Sequence, residues 1–346
     1  MNISKQLINW YLDNKRDLPW RNTQNPYFIW LSEIILQQTQ VAQGLPYYNS
    51  FITNFPTVFD LAKAEEQEVL KLWQGLGYYS RARNLHASAK YIVTELDGQF
   101  PETFEEIIKL KGVGDYTASA IASICFNQAT AVVDGNVYRA LSRLYGIDTP
   151  INTTQGFKTF KTLAQQLIDT KQPATFNQAI MEFGARLCKP KNPDCNSCPF
   201  NNKCVALQKN IISDLPVKLK NTKVTKKHFN YIVVLSSDQK TIIEQRQGNG
   251  IWQNLYQFPL IETSKEANHS TIYSEIEELN VLKGKIFQLS VFNQKPIIHK
   301  LSHQHLYTKF WIVNLEQELP EGVLTSSIQS YPVPILIGNF IEKFNF

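Results

Sequence analysis

Four of the chain's five cysteines fall within the stretch CKPKNPDCNSCPFNNKC, residues 188–204, with six, two and five residues between them. Four thiols in one short loop narrow the chemistry to disulfides, a structural zinc site or an iron–sulfur cluster. The N-terminal MNISKQLINWYLDNKRDLPW scatters charges through what would be the apolar core of a secretion signal. Nowhere does an apolar run approach the roughly 20 residues that span a bilayer, so no membrane association is expected. The expected compartment is the cytoplasm, at the nucleoid in a bacterial cell, where thiols stay reduced and disulfides are disfavoured. Structural zinc sites commonly use two pairs of cysteines, each pair roughly two to four residues apart. Here only Cys195 and Cys198 form such a pair, with Cys188 and Cys204 standing outside it. That spread suits a compact cubane cluster, while spacing alone leaves zinc open.

The 346 residues are enough for two domains, and a 43% hydrophobic content suits packed globular structure. The net charge of +5 is compatible with an anionic partner without specifying one. Residues 1–208 read as a helical domain: FDLAKAEEQEVLKLWQGLG and FEEIIKLKGVGDYTASAIASICF carry apolar residues at three- and four-residue spacing. Residues 209–227 read as a basic linker, with five lysines and no acid in residues 218–227. Residues 228–346 read as a smaller α+β domain. YIVVLSSDQKTIIEQR is patterned as strand, turn, strand; HLYTKFWIVNL as a further strand; STIYSEIEELNVL as a short amphipathic helix. No internal repeat is present.

Two stretches of the helical part carry chemistry. In LKGVGDYTASA, Gly112 and Gly114 permit a tight turn close to another surface, and the next helix N-terminus offers free N–H groups to a phosphate. Such contacts hold a nucleic acid without reading its sequence. In ATAVVDGNVYRAL, Asp134 ends an apolar run just before a helix, the place of an N-cap.

The cysteine spacing matches the cluster loop of the endonuclease III superfamily of DNA glycosylases, which implies a [4Fe–4S] cluster on Cys188, Cys195, Cys198 and Cys204. LKGVGDYTASA resembles that superfamily's helix-hairpin-helix motif, with Lys111 in place of the usual proline. The position of Asp134 is then that of the catalytic aspartate. Bifunctional members carry a Schiff-base lysine two residues after the second glycine; here that residue is Tyr116, which implies water as nucleophile. LPWRNTQNPYFIWLSEIILQQTQV and WQGLGYYSRARNLHASA closely resemble the MutY-type adenine DNA glycosylases. The resemblance covers most of residues 16–204 and implies removal of adenine mispaired with 8-oxoguanine or guanine in double-stranded DNA, by a protein expected to act as a monomer.

The same resemblance distributes roles. Glu33, on the apolar helix WLSEIILQQ, would protonate adenine N7, its burial raising its pKa. Asp134 would remain ionised and stabilise the cationic sugar. Tyr116 and Asn136 would position sugar, carboxylates and water. Trp20, Arg21, Leu36 and Gln178 would border the adenine pocket. Gln38 and Tyr78 would wedge into the base stack, and Thr39 and Leu76 would touch the oxidised guanine. The C-terminal domain resembles the family's Nudix-like domain through GIWQNLYQFPL. It lacks the Arg-Glu-x-x-Glu-Glu core of a Nudix helix, so no pyrophosphohydrolase activity is expected. Where relatives read 8-oxoguanine with Phe-Ser-His, this chain has Leu301, Ser302 and His303. Two other functions stand beside this one: a bifunctional glycosylase/lyase for oxidised pyrimidines, and a non-enzymatic iron–sulfur DNA-binding protein. Tyr116 counts against the first, and the pairing of Glu33 with Asp134 against the second.

Overall fold

Among the described residues, helices fill the chain as far as Gln208, and strands begin only at Thr225. The computed structural model describes residues 3–219 and 224–346, so residues 220–223 of the expected linker lie outside the described residues. The strand Thr225–Leu235 starts inside that expected linker: Thr225, Lys226 and Lys227 belong to a sheet, because each pairs with a residue of the strand Gln304–Leu315. No described helix is long and apolar enough to cross a membrane.

The chain packs as two units, and the division is not a single cut. Ala64–Arg83 clusters with the C-terminal residues rather than with the helices around it in sequence. The helical domain expected over residues 1–208 therefore gives up this segment.

In the first unit, local sequence signals start and stop the helices that matter for the site. Asn25 caps the helix Pro26–Ile35, its side chain accepting the Tyr27 N–H at 2.9 Å, and Pro26 occupies the first turn, where no donor is lost. The helix Asp115–Phe126 ends on Asn127 in the left-handed region, and Gly135–Tyr145 ends likewise on Gly146. The helix Pro173–Arg186 lies at the centre, packing on Ile3–Asn14, Asp115–Phe126 and Gly135–Tyr145. Its buried Asn177 serves three groups: it accepts the Val132 N–H at 3.1 Å and donates to Ser123 Oγ and the Thr130 carbonyl. At Gly184 this helix comes so near the Asn136 backbone that a Cβ there would lie 2.6 Å from the Asn136 carbonyl oxygen. Only glycine fits that approach, and the approach brings the helix alongside the start of Gly135–Tyr145.

The second unit is built on a five-stranded sheet. Thr225–Leu235 runs parallel to Gln304–Leu315 and antiparallel to Leu260–Thr263, while Phe287–Val291 and Ile297–Lys300 both pair antiparallel with Gln304–Leu315. The alternation of side chains sends the two halves of the strand pattern to different partners. Ile232, Val234, Trp311 and Val313 join Ile272 and Ile276 of the helix His269–Glu277 in one core. Tyr231 stacks on Phe310, which stacks at 4.0 Å on Phe340 of the helix Ile335–Phe344. The second half of YIVVLSSDQKTIIEQR forms only two-residue strands, Lys240–Thr241 and Glu244–Gln245, in place of one continuous strand.

Candidate active site

Helices and turns of the first unit surround a cleft of about 710 Å³. The helix Pro26–Ile35 contributes Glu33, the helix Asp115–Phe126 contributes Tyr116, and the start of Gly135–Tyr145 contributes Asp134 and Asn136. The four residues expected to do chemistry, far apart in sequence, thus face one space.

Their surroundings differ. Glu33 is 8% exposed, among Ile29, Trp30 and Ile34. Burial drives its pKa up to about 7; the Tyr116 hydroxyl and Arg21 pull the other way, and the nearby Asp134 charge adds to the rise. The Tyr116 hydroxyl also sits 3.2 Å from Met181 Sδ, and burial lifts its own pKa well above the ordinary phenol value. Asp134 is the N-cap that the sequence suggests. One carboxylate oxygen accepts the N–H groups of Asn136 and Val137 at 2.9 and 2.8 Å, and the other accepts Asn136 Nδ2 at 2.7 Å. Burial raises its pKa, against those three bonds and the charge of Arg139. Burial raises the pKa of both carboxyls, and the donors around Asp134 oppose that rise where Glu33 has the Tyr116 hydroxyl.

The pocket-lining expectations converge on the same cleft. Trp20 lies in the short turn Pro19–Arg21, buried and edge-on to Tyr48 at 5.0 Å. Leu36 ends the helix that bears Glu33, and Gln38 and Thr39 follow in a turn that holds Gln38 at φ +55°. Gln178, on Pro173–Arg186, accepts a hydrogen bond from the Tyr11 hydroxyl.

Two contributors were not legible beforehand. Glu182, one helical turn beyond Gln178, is 1% exposed and receives Arg16 and Arg21 at 2.6 and 2.7 Å. Those guanidinium bonds overcome the effect of burial and hold its carboxyl down at about 2. Arg139 donates to Asn136 Oδ1, to the Gly184 carbonyl and to the Cys188 carbonyl, each at 2.8 Å. The signal available for Glu182 was a lone acid four residues after Gln178 on an apolar helix; its cationic partners lie more than 160 residues away in sequence.

With this geometry in view, the chain was compared with known proteins. Residues 31–166 match the HhH-GPD superfamily of base excision DNA repair proteins, and residues 230–343 match the NUDIX domain family. The adenine DNA glycosylase of Buchnera aphidicola subsp. Baizongia pistaciae is 36% identical over 309 residues, covering 89% of this chain and 85% of that protein. The chain belongs to the adenine DNA glycosylase family. That membership makes it a base-excision-repair glycosylase directed at adenine, and favours this reading over an endonuclease III-like lyase. The human adenine DNA glycosylase is 48% identical over 212 residues, 59% of this chain and 39% of that one. Among solved structures, a thermostable thymine-DNA glycosylase covers 60% of this chain at a TM-score of 0.55 and 28% identity, with 95% of its own chain matched. A trapped endonuclease III–DNA complex, at 21% identity and a TM-score of 0.53 over 60% of this chain and 95% of that one, shares the fold.

The remaining expected residues of this adenine glycosylase lie outside the cleft. Gly112, at φ +81°, and Gly114 are both exposed in the hairpin turn; a Cβ on Gly112 would strike Asn84 at 2.7 Å. Gly114 is the N-cap of the helix Asp115–Phe126 and gives its first N–H groups no side-chain acceptor. Tyr78 is half exposed on the loop after Glu66–Leu72, in the second unit, at φ +48°. Leu76 on that same loop is 6% exposed. Ser302 and His303 are exposed at the turn between Ile297–Lys300 and Gln304–Leu315, closed by the Leu301 N–H donating to the Gln304 carbonyl at 2.8 Å.

Cys188, Cys195, Cys198 and Cys204 line one cavity beneath the end of Pro173–Arg186, and none forms a disulfide. Arg143 Nη1 lies 3.5 Å from Cys188 Sγ, and the Phe200 N–H lies 3.4 Å from Cys198 Sγ. Arg143 also donates to the Lys189 and Pro190 carbonyls, fixing the loop's path. Among the described residues, no three His, Cys, Asp or Glu side chains draw together around a single point suited to one metal ion.

Proposed function

We propose that the cleft hydrolyses the N-glycosidic bond of adenine mispaired with 8-oxoguanine or guanine in duplex DNA, as a monofunctional enzyme with water as nucleophile. The observation that carries this reading is a pair of buried carboxyls on one cleft with different partners: Glu33 with a pKa near 7, and Asp134 raised by burial but held by three donors. Adenine enters the cleft only after leaving the duplex. Trp20, Leu36, Arg21 and Gln178 border it. Glu33, protonated at neutral pH in part of the population, gives its proton to adenine N7 as the bond to the sugar stretches. Asp134 faces the sugar and stabilises the positive charge that grows there, or bonds to it transiently, as carboxylates do in O-glycoside cleavage. Asn136 and Tyr116 hold the carboxylates and the attacking water. Tyr116 supplies no amine for a Schiff base, so the strand is left uncut.

DNA is gripped without regard to sequence by the turn of Gly112 and Gly114. Tyr78 and Gln38 wedge the stack opposite the extruded base, with Thr39 against the oxidised guanine. Ser302, backed by His303 at 3.4 Å, accepts the N7–H that 8-oxoguanine has and guanine lacks. In this division of labour the cleft of the first unit cuts, while Gln38, Thr39, Tyr78 and Ser302 meet the lesion pair. Cys188, Cys195, Cys198 and Cys204 are proposed to hold a [4Fe–4S] cluster. Four thiols lining one cavity supply the four thiolates that such a cluster needs. These four cysteines would hold the cluster within a loop whose exposed Lys189 and Lys191 can meet phosphate.

Single-turnover assays on duplexes carrying adenine opposite 8-oxoguanine, guanine or thymine, with and without alkali, test the reading. Cleavage that appears only after alkali, and only for the first two, is expected. Strand breaks without alkali, or excision of oxidised pyrimidines, would overturn it.

A further inference from the structure

Contacts between Ala64–Arg83 and the C-terminal residues converge on two places. At one, Glu66 Oε1 accepts Asn254 Nδ2 at 2.6 Å, and Arg83 donates to the carbonyl and the side-chain oxygen of Gln253 at 2.8 and 3.3 Å. At the other, Gln74 Oε1 accepts the Val333 N–H at 3.2 Å, and the Tyr79 hydroxyl lies 3.4 Å from the Val333 carbonyl. Between these anchors runs the loop that presents Tyr78. It is braced from within: Trp73 Nε1 donates to the Gly77 carbonyl at 3.0 Å, and the Arg81 guanidinium lies 5.0 and 5.8 Å from the rings of Trp73 and Tyr78.

The residues that hold the first anchor have an unusual backbone. Trp252 stands at φ +60° and Asn254 at φ +65°. A bulky aromatic residue in the left-handed region is strained and persists only where its surroundings over-determine it. Those surroundings are visible. Trp252 is buried, packs edge-on to Phe229, and lies 5.7 Å from the ring of His299. His299 belongs to the strand Ile297–Lys300, whose hairpin turn carries Ser302 and His303. One strained stretch, Trp252–Asn254, therefore touches both the segment bearing Tyr78 and the hairpin bearing Ser302.

We propose that Asn254 is a positioning residue for mispair recognition: through Glu66 it fixes the Tyr78 loop relative to the Ser302 hairpin, so that both meet the lesion pair in register. This rests on the reading of Tyr78 as a wedge. Neither Asn254 nor Glu66 belongs to the catalytic cleft, so the effect is on grip and discrimination rather than on bond cleavage.

The test is a double-mutant cycle on the full-length protein. Affinity is measured for a duplex with an uncleavable adenine analogue opposite 8-oxoguanine, and melting temperature is followed in parallel. Asn254→Gly removes the amide while accepting φ +65° freely. Glu66→Leu removes the acceptor from the other side, should the glycine variant fold poorly. Each is expected to weaken binding about tenfold, the scale of one charge-assisted hydrogen bond. Glu66→Gln, which keeps an acceptor, should restore most of the affinity. In a Tyr78→Ala background, Asn254→Gly should add no further loss. Losses that add in the double variant, or full affinity in both single variants, would overturn the proposal. If Tyr78→Ala alone binds like the parent, the wedge reading fails first and takes this inference with it.

Discussion

Arg21 Nη2 and Glu182 Oε2 meet at 2.7 Å behind the cleft, and the same carboxylate oxygen also receives Arg16. Glu182→Gln leaves two guanidinium groups facing a neutral amide in a buried site. Breaking a buried pair in this way costs about 3–5 kcal/mol, read as a lower midpoint in urea unfolding. Because the pairing pulls Glu182 down to about 2, its contribution is complete above the ordinary carboxyl range and is lost as pH falls from about 4.5 toward 2. The variant should lose that part of the acid sensitivity; an unchanged acid limb would show that the pair does not act as described.

Glu33 behaves in the opposite sense. Burial holds its pKa near 7, so the folded state binds a proton that the unfolded chain has released between about pH 4.5 and 7, and stability falls as pH rises through that window. Glu33→Gln should therefore stabilise the protein at pH 8, by up to about 3 kcal/mol, while nearly abolishing excision. In the parent enzyme, single-turnover excision should decline as pH climbs past about 7. A variant that kept its rate would remove Glu33 from the acid role.

Asp134→Asn separates capping from catalysis. Asparagine caps helices about as well as aspartate, so the stability change should stay within about 1 kcal/mol. Excision should all but disappear, because the charge is needed only once the sugar turns cationic. DNA affinity should be kept or improved. Filter binding and single-turnover kinetics on the same preparation decide it.

Anaerobically purified protein should show broad absorption near 400 nm, roughly, and about four irons per chain. Zinc in stoichiometric amount without iron would sink the cluster assignment. Cys198→Ser should lower the yield of folded, DNA-binding protein, since Arg143 and Arg139 tie the loop's carbonyls to the helix that starts at Asp134.

Local signals gave part of the site: Asp134 before a helix reads as an N-cap, Glu33 between apolar neighbours as a partly desolvated carboxyl, and the hairpin glycines as a tight turn. That Glu33 and Asp134 act together came from the family resemblance. What escaped reading is what only packing decides. The buried Glu182 needed Arg16 and Arg21 beside it, and Arg139 needed the Cys188 loop folded back across Gly184. The sheet was legible where strands are long and alternate cleanly. It was not legible at Thr225, where lysines suggested linker but pairing with Gln304–Leu315 recruits them. Nor could periodicity show that Ala64–Arg83 leaves its sequence neighbours.

That last feature bears on how such proteins can be recombined. Because Ala64–Arg83 is structurally part of the unit completed only after Thr225, no single crossover separates the two units. A chimaera that exchanged only the C-terminal segment between two relatives would set a foreign Gln253, Asn254 and Val333 against a native Glu66, Arg83 and Gln74. Exchange that keeps the pairing intact needs two junctions, so these distant stretches are expected to be inherited together.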